Sequence, residues 1–177
     1  MKLVILDRDG TINHDSEDYI KSPEEWRPIR GSLEAIARLT QAGYRIVVAT
    51  NQSGIARGLF STRTLFAIHD ALQRALGQMG GRIDAFFFCP HAADSGCECR
   101  KPEPGMLLEV ARRFNVSLKD TYMVGDARKD LEAAAAAGAR PVLVLTGKGR
   151  KTREEGSLPP GTLVFPDLAA FAEQLAP

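Results

Sequence analysis

Five short runs of apolar, β-branched or aromatic residues punctuate the chain: Lys2 to Leu6, Tyr44 to Thr50, Ile83 to Phe88, Thr121 to Gly125 and Pro141 to Leu145. Runs this short and this apolar predict strands covered on both faces, because a strand with one wet face alternates instead. The segments between them carry the helical period. Ser32 to Gln41 puts Leu33, Ile36, Ala37 and Leu39 mostly on one side, begins at a candidate Ser N-cap and stops at Gly43. Ser61 to Met79 repeats the pattern with Leu65, Ile68, Leu72, Ala75, Leu76 and Met79, and ends at Gly80-Gly81. Helices are predicted again over Pro104 to Phe114 and Arg128 to Ala137. A weaker strand at Thr162 to Phe165 precedes Asp167, the expected cap of a helix over Leu168 to Leu175.

Strand and helix in alternation, with short connections, predict a parallel sheet between two layers of helices. The fold class is therefore α/β, a single doubly wound parallel sheet, with one domain expected over residues 1–177. Two stretches have no period: Thr11 to Arg30, after the first strand, and Cys89 to Lys101, after the third. Ligands of open α/β sheets bind beyond the carboxyl ends of the strands, which is where both stretches begin.

Composition narrows the class. The 177 residues are 44% hydrophobic, and 23 Lys+Arg against 22 Asp+Glu leave a formal charge of +1. That balance argues against a nucleic-acid or membrane partner held by bulk electrostatics. No apolar run approaches the roughly 20 residues of a bilayer span, and Asp7 interrupts the first one, so a cytoplasmic location is expected. The three cysteines, Cys89, Cys97 and Cys99, crowd into eleven residues. An odd, clustered set suits a metal or reactive site better than a disulfide framework.

Four polar elements follow the apolar runs. Asp7 and Asp9, two apart in Asp7-Arg8-Asp9-Gly10-Thr11, project the same way from the end of a strand. Paired carboxylates persist when a cation neutralises them or one keeps a proton, and either state suits phosphoryl chemistry; an Asp-Gly turn would also place them there. Thr50-Asn51-Gln52-Ser53-Gly54 offers a hydroxyl and backbone N–H groups to phosphate oxygens, or else is a polar turn. Arg100-Lys101-Pro102 supplies two cations ahead of a helix, for phosphate or for solvent. Asp126 ends an apolar strand and can join Asp7 as a hard oxygen ligand to Mg²⁺, with Asp130 supporting from behind; helix capping and a surface charge are their plainer roles. All four fall at strand ends of one sheet, and a shared location argues for a site where each alone does not.

Asp7-x-Asp9-Gly10-Thr11, Thr50 after an apolar strand, Lys101 before Pro102, and Gly125-Asp126-x-x-x-Asp130 resemble the four motifs of the haloacid dehalogenase (HAD) superfamily of phosphatases. Within it, Leu6 to Asn13, Thr50 to Gly58 and Cys99 to Leu107 are similar to a subgroup acting on heptose bisphosphate or histidinol phosphate. The resemblance implies a Rossmann-like core with almost no cap, and here the helix after Ser61 leads directly into the next strand. It implies Asp7 as nucleophile, Asp9 as acid and base, and Thr50 with Lys101 on the phosphoryl oxygens. Mg²⁺ would be held by Asp7, the Asp9 carbonyl and Asp126. The implied substrate is a small phosphorylated sugar whose product feeds nucleotide-activated heptose, and the protein is expected to be a monomer. Substrate contacts are expected from Arg8, Asp15, Asp18, Asn51, Gln52, Ser53, Arg57 and Arg100.

Cys89-x-His91 and Cys97-x-Cys99 form a Cys₃His set suited to a closed tetrahedral Zn²⁺ site, though their spacing is tighter than that of zinc fingers. The resemblance carries structural zinc at this loop. Its expected use is to aim Arg100 and Lys101. His14 is read as a loop residue and His69 as a helix-surface residue, while Lys148, Arg150, Lys151 and Arg153 are read as a basic loop. The rival class is a phospho-Asp receiver domain, which usually places its phosphoacceptor after the third strand; here that strand runs into Cys89.

Overall fold

Period-two burial organises the sheet. Along the first strand Leu3 and Ile5 face one side, and Val4 and Leu6 the other, all of them buried. In the computed structural model, which describes residues 1–177, the strands are β1 (Leu3–Leu6), β2 (Arg45–Asn51), β3 (Ala85–Cys89), β4 (Tyr122–Gly125), β5 (Arg140–Val144) and β6 (Leu163–Phe165). Every pairing is parallel, in the order β3-β2-β1-β4-β5-β6. The helices are α1 (Ser32–Gln41), α2 (Thr62–Gly77), α3 (Gly105–Phe114), α4 (Arg128–Ala137), α5 (Gly149–Glu155) and α6 (Leu168–Leu175).

Each face of the sheet has its own core. Val4, Leu6, Ile46, Val48 and Val142 pack under α1, α2 and α6 through Ile36, Leu72 and Phe171. Leu3, Ile5, Val47, Ala49 and Met123 pack under α3 and α4 through Leu107, Val110, Ala133 and Ala134. The alanine run thus does more than favour helix, because its small buried members bring α4 close to the sheet. Ile12, Ile20 and Trp26 join the first core. The aperiodic stretch after β1 is therefore pinned at three points, although a 3-10 turn at Pro23–Glu25 is its only helical element. Only residues 78–84 separate α2 from β3, so no cap is inserted there.

Two local expectations need correction. Ser32 is not the cap of α1: Gly31, at φ 82°, precedes the helix. The Ser32 hydroxyl instead reaches the Ile12 and Ile29 carbonyls, at 2.6 and 2.7 Å, tying the loop to the helix. The basic stretch after β5 is also not a loop. Residues 149–155 form α5, in which only Gly149 and Thr152 are buried, so no apolar period marks it in the sequence.

Candidate active site

The strand order reverses between β1 and β4, leaving a crevice beyond their carboxyl ends. Asp7 continues β1 into this crevice, its N–H donating to the Val124 carbonyl at 2.8 Å, and Asp126 follows β4. Asp126 is gripped by backbone. Lys148 N–H donates to its Oδ2 at 2.8 Å, and the Thr152 hydroxyl donates to its carbonyl at 2.9 Å. Gly10 and Gly147, at φ 84° and 53°, pass so close that a Cβ on either would lie 2.1 or 2.2 Å from Asp126 Oδ2. Only glycine allows that approach.

Lys101 crosses beneath the carboxylates. It is fully buried, with Nζ 2.9 Å from Asp7 Oδ1, 2.8 Å from Asp130 Oδ1 and 2.6 Å from the Ala49 carbonyl. The ammonium donates to Asp7 and to the Ala49 carbonyl, while Asp130 Oδ1 faces it as an ion pair. Burial opposes its charge, yet Asp130 and Asp7 push its pKa up. The other Asp130 oxygen accepts from Ala127 N–H at 3.0 Å, so Asp130, not Asp126, closes the start of α4. Asn51, expected on the substrate, pairs its amide with the Lys101 backbone, donating to the carbonyl and accepting from N–H at 3.0 Å each, and it also borders the cavity.

Three buried carboxylates around one ammonium leave excess negative charge. Burial and then Asp130 raise Asp7 to about 6 despite Lys101, while burial, Asp7 and Asp130 raise Asp126 to about 8. Their carboxylate oxygens lie within 4.8 Å of one another. A hard divalent cation fits this donor set, because it takes oxygen ligands and would relieve the repulsion.

Asp9 has the opposite character. Burial raises its pKa, but the Arg8 charge and hydrogen bonds from Arg8, Asn13 and Gln52 prevail and hold it below the usual carboxylate range. Arg8 donates from Nε to Oδ1 at 2.9 Å and from Nη2 to Oδ2 at 3.2 Å; Asn13 and Gln52 donate at 2.9 and 3.2 Å. Arg8, expected on substrate, lies outside the cavity wall, fully buried and bound to Asp9 and His69. Gln52 also donates to the Thr50 hydroxyl, at 2.9 Å.

Above these groups opens a cavity of about 220 Å³, walled by Asp7, Asp9, Thr50, Asn51, Gln52, Ser53 and Asp126, with Asp15, Ser16, Glu17, Tyr19 and Ile20 opposite. Arg100, Lys129 and Lys148 contribute cations. Arg100 Nη1 is buried without a hydrogen-bond partner. Lys148 also pairs with Asp15 at 3.4 Å. Lys129 was missed because a single Lys in the first turn of a helix reads as surface. Two expected contacts are absent from the wall: Asp18 is exposed, and exposed Arg57 lies over the Tyr19 ring. His69 is not on the helix surface either. It is 4% exposed and stacked on Phe86, because α2 turns that position toward the sheet.

The Cys/His loop lies just before α3. Cys89 Sγ is 3.1 Å from Cys99 Sγ, 3.7 Å from Cys97 Sγ and 3.5 Å from His91 Nδ1, and all three thiols are free. Sulfur ligands about 2.3 Å from zinc in a tetrahedron sit about 3.8 Å apart, so four such donors within 4.8 Å fit Zn²⁺. Gly105 lets α3 approach this loop: its N–H donates to the Glu98 carbonyl at 2.9 Å, and a Cβ there would collide with that oxygen.

A family model described as "HAD-hyrolase-like" matches residues 98–171. A Bordetella bronchiseptica protein described as D-glycero-beta-D-manno-heptose-1,7-bisphosphate 7-phosphatase is 62% identical over 175 residues, spanning 99% of this chain and 98% of its own. The chain belongs to this HAD-like phosphatase family. A Pseudomonas aeruginosa relative with the same description is 53% identical over 98% of this chain and 97% of its own. The crystal structure of D,D-heptose 1,7-bisphosphate phosphatase from B. bronchiseptica, complexed with magnesium and phosphate, superposes at a TM-score of 0.98 with 62% identity, covering 99% and 98% of the two chains. That of the Burkholderia thailandensis enzyme gives 0.80 at 52% identity, covering 99% and 98%. As a family member the chain is a phosphoric monoester hydrolase, not a receiver domain, and β3 accordingly ends at Cys89 on the sheet edge. No helix is long and apolar enough to cross a membrane.

Proposed function

We propose that this chain removes the 7-phosphate from D-glycero-β-D-manno-heptose 1,7-bisphosphate through an aspartyl-phosphate on Asp7. The observation that carries the reading is 62% identity along 99% of the chain to a relative so described, joined to an intact carboxylate constellation. The same description supports the β anomer over the α. The heptose 1-phosphate product would feed nucleotide-activated heptose. A substrate with two phosphates does not cross a bilayer unaided, so the reading carries a cytoplasmic site of action, and a monomer suffices because every proposed group comes from one chain.

Asp7, at the carboxyl end of β1, attacks phosphorus in line and displaces the sugar oxygen. Lys101 and Thr50 stabilise the phosphoryl oxygens, Lys101 by its charge. Asp9 gives a proton to the departing oxygen and then takes one from the water that cleaves the acyl phosphate; its donors hold it ionised in the free site, so the proton it gives is one taken up when the negatively charged phosphate arrives beside it. Asp7, Asp126 and the Asp9 carbonyl would hold Mg²⁺, which supplies positive charge to the transferring phosphoryl group. Asp130 keeps Lys101 charged and in place. Arg100, Lys129 and Lys148 offer their charges to the remainder of the bisphosphate. Cys89, His91, Cys97 and Cys99 would hold Zn²⁺ as a structural clasp that leaves no open coordination position, one residue before Arg100.

Steady-state kinetics with Mg²⁺ on the two heptose bisphosphate anomers and on histidinol phosphate test the reading. Highest kcat/KM is expected on the β anomer. A preference for histidinol phosphate would replace the substrate, and no turnover of any phosphoester would remove the function.

A further inference from the structure

Arg8 is the least expected side chain near the site, a fully buried guanidinium that never reaches the cavity. One edge of its fork, Nε and Nη2, grips both oxygens of Asp9. Its remaining nitrogen, Nη1, lies 3.3 Å from His69 Nε2. A guanidinium only donates, so Nε2 must be the acceptor, and the imidazole is neutral with its proton on Nδ1. The ring is also held from the side, stacked on Phe86 of β3 at 4.2 Å and 11°. His69 is thus a fixed acceptor behind a buried cation, and the cation is fixed on the carboxylate that must move protons.

We propose that His69 is a positioning residue for Asp9, acting through Arg8: its unprotonated Nε2 sets the roll of the guanidinium, and the guanidinium sets the plane of the Asp9 carboxylate. The inference rests on the phosphatase reading above, and it assigns to α2 and the edge strand β3 a part in the proton transfer. Burial and the Arg8 charge lower the His69 pKa to about 3, which keeps the acceptor lone pair free at any working pH. The arrangement explains why a histidine is enclosed here. A phenylalanine would pack as well against Phe86 but would leave a buried N–H of Arg8 without a partner. Freed from its acceptor, the fork can rotate about its own axis and carry the carboxylate off the line to the leaving oxygen. Misplacement of about 1 Å costs on the order of 100-fold in rate.

Two variants separate this role from packing. His69→Phe keeps the stack and removes the acceptor, while His69→Gln places an amide oxygen near the position of Nε2. With matched melting curves, His69→Phe should lose about 10- to 100-fold in kcat with KM nearly unchanged, and His69→Gln should recover most of the loss. A folded His69→Phe with wild-type kcat, or a Gln variant no better than Phe, would overturn the proposal. Nitrogen NMR of the unmodified protein reads the acceptor directly, whether or not the variants fold. An unprotonated Nε2 and a protonated Nδ1 are expected, and the reverse tautomer or an imidazolium near neutral pH would sink the proposal. If the unmodified protein turned over no phosphoester, the phosphatase reading would fail separately, and the NMR signals would still decide whether Arg8 is held as described.

Discussion

The chain contains two clusters of metal-binding character, and they are built in opposite ways. Asp7, Asp126 and Asp130 come from segments more than a hundred residues apart, meet only because β1 and β4 are neighbours, and are buried. Cys89, His91, Cys97 and Cys99 span eleven residues, and only Cys89 is buried. The first cluster stores repulsion inside the sheet edge, offset in part by Lys101. The second has no helix or strand between its members and little to hold its shape beyond the donors themselves. A cation joining the carboxylates therefore acts on electrostatics within a folded frame. One joining the thiols supplies order to a segment that lacks it.

Asp7→Asn gives the largest expected effect. Turnover should fall by at least about 10⁴-fold while the fold persists, since the amide cannot attack phosphorus. Kinetics paired with circular dichroism would check this, and substantial residual activity would remove Asp7 as nucleophile. Lys101→Ala strikes the offset itself. It leaves buried carboxylates without their ammonium and should cost about 3–5 kcal/mol in urea denaturation, because stripping one partner from a buried ion pair exposes the full desolvation cost of the other. A loss under 1 kcal/mol would mean that the two clusters differ less than their burial suggests.

Cys97→Ser probes the local cluster. Zinc content should drop, protease sensitivity should appear within residues 90–98, and kcat/KM should fall about 10- to 100-fold as Arg100 and Lys101 lose their anchor. If zinc is lost and the loop and kinetics are unchanged, the clasp has no link to the site. The smallest effect is a pH slope. Without divalent cations Asp7 titrates near 6 and Asp126 near 8, against 3.8 in an unfolded reference. These two groups hold more protons in the folded state than in the unfolded one above about pH 4, a contribution to stability that is lost as pH rises through 6 and 8, while His69, held near 3, acts with the opposite sign below about 6.5. Mg²⁺ should raise Tm, and by more at pH 8 than at pH 5. A Tm indifferent to both would contradict stored repulsion in the carboxylate cluster.

The legibility of the sequence follows the same division. All six strands and five of the six helices were readable, because each carries an apolar period or a strong cap such as Asp167, whose carboxylate accepts from Ala170 N–H. Helix α5 was not, since seven mostly charged residues hold no apolar stripe. The cysteine set was visible as a spacing. Asp7 and Asp126 were visible through strand ends that share one edge of a parallel sheet, and Lys101 through its place before Pro102 in a motif resembling the HAD set. Arg8 and His69 were misplaced, one expected on substrate and the other on the surface: periodicity reports which face a residue occupies on average, not which buried polar partner awaits it.

By itself the sequence determined the α/β class, the sheet's two buried faces and the residue types available at the strand ends, because backbone periodicity and residue chemistry are local properties. Tertiary structure alone decided which of those residues meet. It put Asp130 and Asp7 on one ammonium, paired Asn51 with the Lys101 backbone, and turned Arg8 inward between Asp9 and His69. These are consequences of desolvation: a charge removed from water must find a partner within about 3 Å, and only the completed packing determines which partner is there.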